Sequence, residues 1–236
     1  MIGMSASPSQ RPADTSGERR LRDTPMFWIA TVVGLIVVAI ALWLASGLWM
    51  PSPASGSAEP RTVDMAGNSV VLEDPIASPE VLVEMDVDED AGERFVVADV
   101  ELDVPLGALD MVDGEITPPG FTSAYVVRNL GAPTDAAAGT TYVVMHSIPK
   151  PGVAPGNYLI DVADGKASVE AGTTIQVGDA SYAIDSSYTV DKAQLPQQTA
   201  LWENRAGRLV VITCQQLPSG ERSVQNTVIE AHLIAL

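Results

Sequence analysis

The chain reads as three textures in its apolar and polar positions. Residues 1–25 are polar and carry Arg11, Arg19, Arg20 and Arg22. Met26 to Met50 (MFWIATVVGLIVVAIALWLASGLWM) holds no charged residue at all. From Phe95 onward, short β-branched apolar runs alternate with turn residues. The middle texture predicts a helix: about 24 residues at ~1.5 Å each reach roughly 36 Å, enough to cross a ~30 Å hydrocarbon layer. Trp28, Trp43 and Trp49 lie near its ends, where indole rings favour the membrane interface. Arginines precede the run, and Pro51 to Pro60 has neither Lys nor Arg, so the positive-inside rule puts the N-terminus in the cytoplasm and the rest outside. The expectation is a single-pass anchor at the plasma membrane. A cleaved signal peptide is the alternative, with the small residues of Ala54 to Ala58 as its cut site, but the apolar run is longer than the usual signal core.

The last texture predicts strands. FVVADVELDVPL (Phe95–Leu106) alternates as one or two. TTYVVMH (Thr140–His146), YLIDVA (Tyr158–Ala163), TTIQV (Thr173–Val177), SYAIDSSYTV (Ser181–Val190), RLVVITC (Arg208–Cys214) and NTVIEAHLIAL (Asn226–Leu236) follow. Turn-like APG, VADGKA, VGDAS and QQLPSGE separate them. Many short strands at this spacing imply an all-β domain over residues 93–236, a closed barrel of about seven or eight strands. Helix is confined to short turns, one of them around Ser123 to Val127. Residues 51–92 read as a linker, first Pro/Ser-rich (PSPASGSAEP) and then acidic.

Charge narrows the partners. Thirty acidic residues against 13 basic give a net charge of −17. Nucleic acid and anionic surfaces reward clustered Lys and Arg, so neither is expected as a partner. Glu84, Asp86, Asp88, Glu89 and Asp90 cluster in the linker. Carboxylates at such spacing suit calcium, but the run lacks the glycine and terminal glutamate of an EF-hand loop, and a solvated segment is the preferred reading. No cofactor or metal is implied.

Chemistry rests on two residues. Cys214 is the only cysteine, which excludes an intramolecular disulfide and leaves a single thiol on the extracytoplasmic side. It ends the strand RLVVITC, where a side chain projects from a rigid scaffold into a loop-lined region. The same pattern fits a buried, inert thiol. His146 ends the strand TTYVVMH, and a Pro- and Gly-rich loop follows it. An imidazolium beside a thiol lowers the thiol pKa, so the pair suits covalent catalysis. His232 lies inside the last predicted strand and reads as structural. Two histidines and one cysteine fall short of any zinc pattern.

These segments resemble a family. VVITC is similar to the sortase signature T-L-x-T-C, with Val210 and Val211 in the first two places and Thr213–Cys214 intact. TTYVVMHS resembles the sortase strand that ends in His, and the 68 positions from His146 to Cys214 suit that layout. GEITPPGFTSAYVV (Gly114–Val127), GNYLIDV, TTIQVGDASYAID and NTVIEAHL follow the segment order of actinobacterial-type sortases. The likeness covers Phe95 to Leu236 and extends to the N-terminal anchor. Met145 stands where sortases usually have glycine. The family's arginine falls on the last strand, a few residues before its V-x-A segment; Asn226 occupies that spacing here, and Arg222 is the nearest arginine.

The resemblance implies a membrane-anchored cysteine transpeptidase. Its substrate would be an LPxTG-like sorting signal of an exported protein. Cys214 would form a thioester, and His146 would protonate the leaving amine. An amine from a peptidoglycan precursor or a pilin lysine would then resolve the thioester. Arg222 is assigned to the oxyanion, with Asn226 as its substitute. The competing reading is a catalytically inactive, sortase-like binding module displayed outside the cell. An L,D-transpeptidase would place His and Cys close together in sequence, which this chain does not.

Overall fold

The computed structural model describes residues 63–70 and 78–236. The apolar run 26–50 lies outside these residues, and none of the described helices is long and apolar enough to cross a membrane. After a short helix α1 (Pro79–Glu84) come β1 (Asp88–Val97), β2 (Leu102–Leu109), β3 (Ala124–Val127), β4 (Thr140–Val144), β5 (Ile160–Asp161), β6 (Lys166–Ala167), β7 (Thr174–Val177) and β8 (Ala180–Asp191). A one-turn helix α2 (Thr199–Trp202) precedes β9 (Arg208–Gln215) and β10 (Gln225–Ala235). Eight strands close into a barrel in the order β1-β2-β3-β4-β9-β10-β8-β7. β2 with β3 and β4 with β9 are parallel; the other barrel pairs are antiparallel. β5 and β6 form a separate two-stranded sheet.

Burial follows the strand period of two. β2 alternates buried and more open positions, as expected of a strand with one wet face. β4 is buried at every position and β9 at nearly all, because both of their faces are covered. On β4 and β9, Val143, Leu209 and Val211 join Phe95, Leu106, Ile175 and Ile229 in the larger cluster. The alternate residues Tyr142, Val144, Val210 and Ile212 join Leu109, Val228 and Leu201 in a second one. A strand covered on both faces must be apolar throughout, which is why YVV and LVVI carry no alternation.

Three sequence expectations change. Residues 123–127 are not a helical turn: Ala124–Val127 is β3, held between β2 and β4, a place that favours the β-branched Val126 and Val127 over a helix. Tyr158–Ala163 is not one strand: a 3-10 turn over Pro155–Leu159 is followed by the two-residue β5. Secondary structure also lies inside the expected linker. Met85 is buried after α1, and Asp88 already pairs with Ala108. The acids at 88–90 stand exposed at the open end of β1, where its register with β2 shifts between Asp88 and Glu93. Among the described residues, no group of three His, Cys, Asp or Glu side chains converges as a metal site.

A candidate active site at the ends of β4 and β9

The site is set by register. β4 and β9 run parallel, with Thr140 opposite Arg208 and each following pair in step to Val144 opposite Ile212. The ladder continues one bond further, from Met145 N to the Ile212 carbonyl at 3.2 Å. Two residues on from Val144 and Ile212 stand His146 and Cys214, and both line the same two clefts. Both residues continue the even-numbered face of Tyr142, Val144, Val210 and Ile212. On the other side of β9, Asn226 pairs directly with Cys214, and two positions on, Val228 belongs to that same face. His146, Cys214 and Asn226 all line one cleft. Cys214 and His146 are partly exposed, and Asn226 is 9% exposed.

The loop after β4 is pinned on both sides of the histidine. The His146 carbonyl accepts from Gly156 N at 2.7 Å. Ser147 Oγ donates to the Cys214 carbonyl at 2.5 Å, which fastens the two strand ends together. Asn157 accepts from the N–H groups of Ile148 and Ala154 at 3.0 and 2.9 Å, and donates to the Ile148 carbonyl at 2.8 Å. Gly156 has no room for a side chain: an added Cβ would meet Thr213 Oγ1 and lie 2.7 Å from the His146 carbonyl.

His146 is oriented by the segment Gly114–Phe121. Phe121 stacks on the imidazole with centroids 4.5 Å apart. Nε2 lies 2.8 Å from the Pro118 carbonyl. A carbonyl only accepts, so Nε2 carries the proton and the neutral ring keeps Nδ1 as its basic nitrogen. Burial, reinforced by the charge of Lys192, holds the imidazole below its ordinary value of 6.5 despite the Pro118 bond.

Two clefts meet at this pair. The first, about 470 Å³, is walled mainly by apolar side chains, among them Met111, Ile116, Leu130, Leu195 and Trp202, and is lined also by His146, Cys214 and Asn226. The second, about 310 Å³, shares His146 and Cys214 but is more polar, with Asp64, Asn68, Ser147, Lys192, Gln216 and Ser223. The Trp202 wall is held by Arg208. Its guanidinium donates to the carbonyls of Ala200, Leu201 and Glu203 and pairs with Glu230 at 2.6 Å. Tyr142 adds a hydroxyl bond to the Leu201 carbonyl at 3.0 Å and stacks against Trp202.

Of the residues singled out in the sequence, Cys214 and His146 share both clefts, and Asn226 lines the first. Arg222 is exposed on the loop between β9 and β10. That loop is anchored by the buried Ser223, whose hydroxyl donates to the Gln215 carbonyl at 2.7 Å. The sequence reading missed Pro118, Phe121, Lys192, Gln216 and Trp202. The first two lie in a segment already noticed for its family likeness; Lys192 and Gln216 sit in loops and Trp202 ends the one-turn helix α2, none within a motif.

No protein-family model matches the sequence, and no curated protein does. The fold is similar to solved structures of sortases. Sortase A of Listeria monocytogenes is 16% identical over 60% of this chain and 86% of its own, with a TM-score of 0.42. Sortase C-1 of Actinomyces oris is 13% identical over 72% and 92%, with a TM-score of 0.45. Sortase A of Corynebacterium diphtheriae is 16% identical over 61% and 60%, with a TM-score of 0.43.

Proposed function

We propose that this protein is a cysteine transpeptidase of the sortase type, anchored by residues 26–50 with its barrel outside the membrane. The observation that carries the reading is that His146 and Cys214, each just past the last pair of the parallel β4–β9 ladder, line the same two clefts. Both residues stand in segments that resemble the family's His and T-L-x-T-C strands.

The donor peptide binds in the apolar first cleft. His146 Nδ1 takes the thiol proton, and Sγ attacks the scissile carbonyl carbon. The tetrahedral oxyanion is met by donors from the last strand or the loop before it: the Asn226 amide beside Cys214, and the fixed charge of Arg222. Collapse breaks the C–N bond, and the imidazolium returns its proton to the leaving amine. The thioester on Cys214 is the product of the first half-reaction. Its transfer to an amine restores the thiol, so one acid–base group serves both halves.

The test is mass spectrometry of the protein after incubation with a panel of LPxTG-like peptides. The expected result is an acyl adduct on Cys214, lost in Cys214→Ala and strongly reduced in His146→Ala. An adduct that forms at an undiminished rate in His146→Ala would end the transpeptidase reading.

A further inference from the structure

The second cleft has a chemistry of its own. Lys192 lines it and is partly buried. Lys192 follows β8, and its backbone N–H is tied to the Val224 carbonyl at 2.9 Å. Its ammonium makes no ion pair among the described residues. That is unusual in a chain with 30 acidic residues against 13 basic, where a cation has abundant partners. The carboxylate in the same cleft, Asp64, is already saturated. Its two oxygens accept from Ala66 N, Asn68 N, Asn68 Nδ2 and Val153 N at 2.8 to 3.2 Å, and it is 2% exposed.

A second observation concerns Gln216, 5% exposed and lining the same cleft. Its Nε2 donates to the Ser147 carbonyl at 2.8 Å, which fixes the orientation of the amide, since that carbonyl only accepts. Its Oε1 is then buried without a hydrogen-bond partner among the described residues. A buried acceptor without a donor is costly, and an incoming N–H would satisfy it. Among the described residues, the cleft therefore offers a cation without a counterion and an acceptor without a donor, lined also by Cys214 and His146.

We propose that the second cleft receives the acyl acceptor, and that Lys192 selects an amine whose own carbon bears a carboxylate. This inference rests on the transpeptidase reading and names its second substrate by chemistry: an α-amino-acid-like end, as against the ε-amine of a protein lysine, which has no adjacent carboxylate. Lys192 pairs with the carboxylate while the amine N–H approaches Gln216 Oε1. The cation acts on the amine as well, since a positive neighbour favours the neutral, nucleophilic form over the ammonium. In the step itself the amine nitrogen attacks the thioester carbon and the C–N bond forms. The C–S bond breaks, and His146 carries the amine proton to the departing sulfur. Lys192 is a specificity residue and touches only the acceptor.

The test uses the full chain acylated on Cys214 by a small activated thioester, hippuryl benzyl thioester, with glycine and glycinamide as competing acceptors at equal concentrations of free amine. The readout is the ratio of the two hippuryl amide products, determined alongside the mass of the acyl-enzyme. The wild-type protein should favour glycine. Lys192→Met should lower the ratio about five- to tenfold, the range of a partly solvated charge pair. Lys192→Arg should keep most of it, and Lys192→Glu should turn the preference toward glycinamide. An unchanged ratio in Lys192→Met, with acyl-enzyme formed, overturns the acceptor assignment and leaves the transpeptidase reading intact. A wild-type chain that forms no acyl-enzyme overturns both.

Discussion

Arg208→Met tests whether the wall of the first cleft is fastened to the barrel as described. Arg208 is 7% exposed. It meets Glu230 with Nε at 3.1 Å and Nη2 at 2.6 Å, and its third nitrogen serves the carbonyls of Ala200, Leu201 and Glu203 at 3.1 to 3.3 Å. Methionine keeps most of the aliphatic stem, so the loss is that of the charge and its bonds. Removing one partner of a buried pair costs ~3–5 kcal/mol, because the other charge is left unpaired. Two features favour the lower end: Glu230 retains 24% side-chain exposure, and its other oxygen still accepts from the Tyr188 hydroxyl at 3.0 Å. About 3 kcal/mol at ~2–4 °C per kcal/mol for a domain of this size gives a fall in Tm of roughly 6–12 °C. The control is Arg205→Met, whose partner Glu203 is 57% exposed and whose pair is correspondingly screened. Both variants are followed by thermal unfolding of the same protein, with urea unfolding as a check that the slope is unchanged. If Arg208→Met loses no more stability than Arg205→Met, the claim that this guanidinium holds the 199–205 segment is refuted.

Three further outcomes are expected. Gly156→Ala should reduce transfer at least tenfold at saturating donor, with a fall in stability of ~1–3 kcal/mol, because the new Cβ presses on Thr213 and the His146 carbonyl; full activity in this variant would show that the two strand ends have room to spare. Acidification should destabilise the barrel through His146: its folded pKa lies below 6.5, so the unfolded chain binds the proton first and stability falls as pH drops from about that value. His146→Gln should flatten this limb of the Tm profile between pH 7.5 and 5, and an unaltered profile would remove His146 as its cause. Arg222→Ala and Asn226→Ala, each assayed with one good donor, divide the oxyanion role: loss of the working donor costs ~10²–10³ in turnover, and the pairing of Asn226 with Cys214 predicts a substantial part for the amide.

The barrel was legible where the strands bury both faces or alternate cleanly. RLVVITC and TTYVVMH are buried between two apolar clusters, and their unbroken apolar runs marked them. β3 was missed because it has only four residues, and its identity comes from its neighbours β2 and β4, not from its own period. The early start of β1 was missed because its first residues are exposed acids, indistinguishable by composition from a solvated linker. At the site, Cys214 and His146 were legible as residues near strand ends, and both line the same clefts. The register that makes them neighbours is a long-range property of the β4–β9 ladder. Pro118 acts through its backbone carbonyl, which leaves no trace in side-chain patterns. Lys192 and Gln216 lie in loops, where only tertiary structure shows which cleft they line.

The parallel pairing of β4 with β9 has a consequence for the timing of reactivity. The two strand ends are joined by no short turn; 68 positions separate His146 from Cys214, and β5 through β8 intervene. Such a contact carries a high loop-closure cost and forms only when the barrel shuts. An extended chain therefore holds an ordinary cysteine, mostly protonated at neutral pH and remote from His146. Cys214 and His146 come to line the same clefts in the same event that seals the sheet. Thiol reactivity in this protein thus reports the completion of folding, and a misfolded copy is silenced by its own topology.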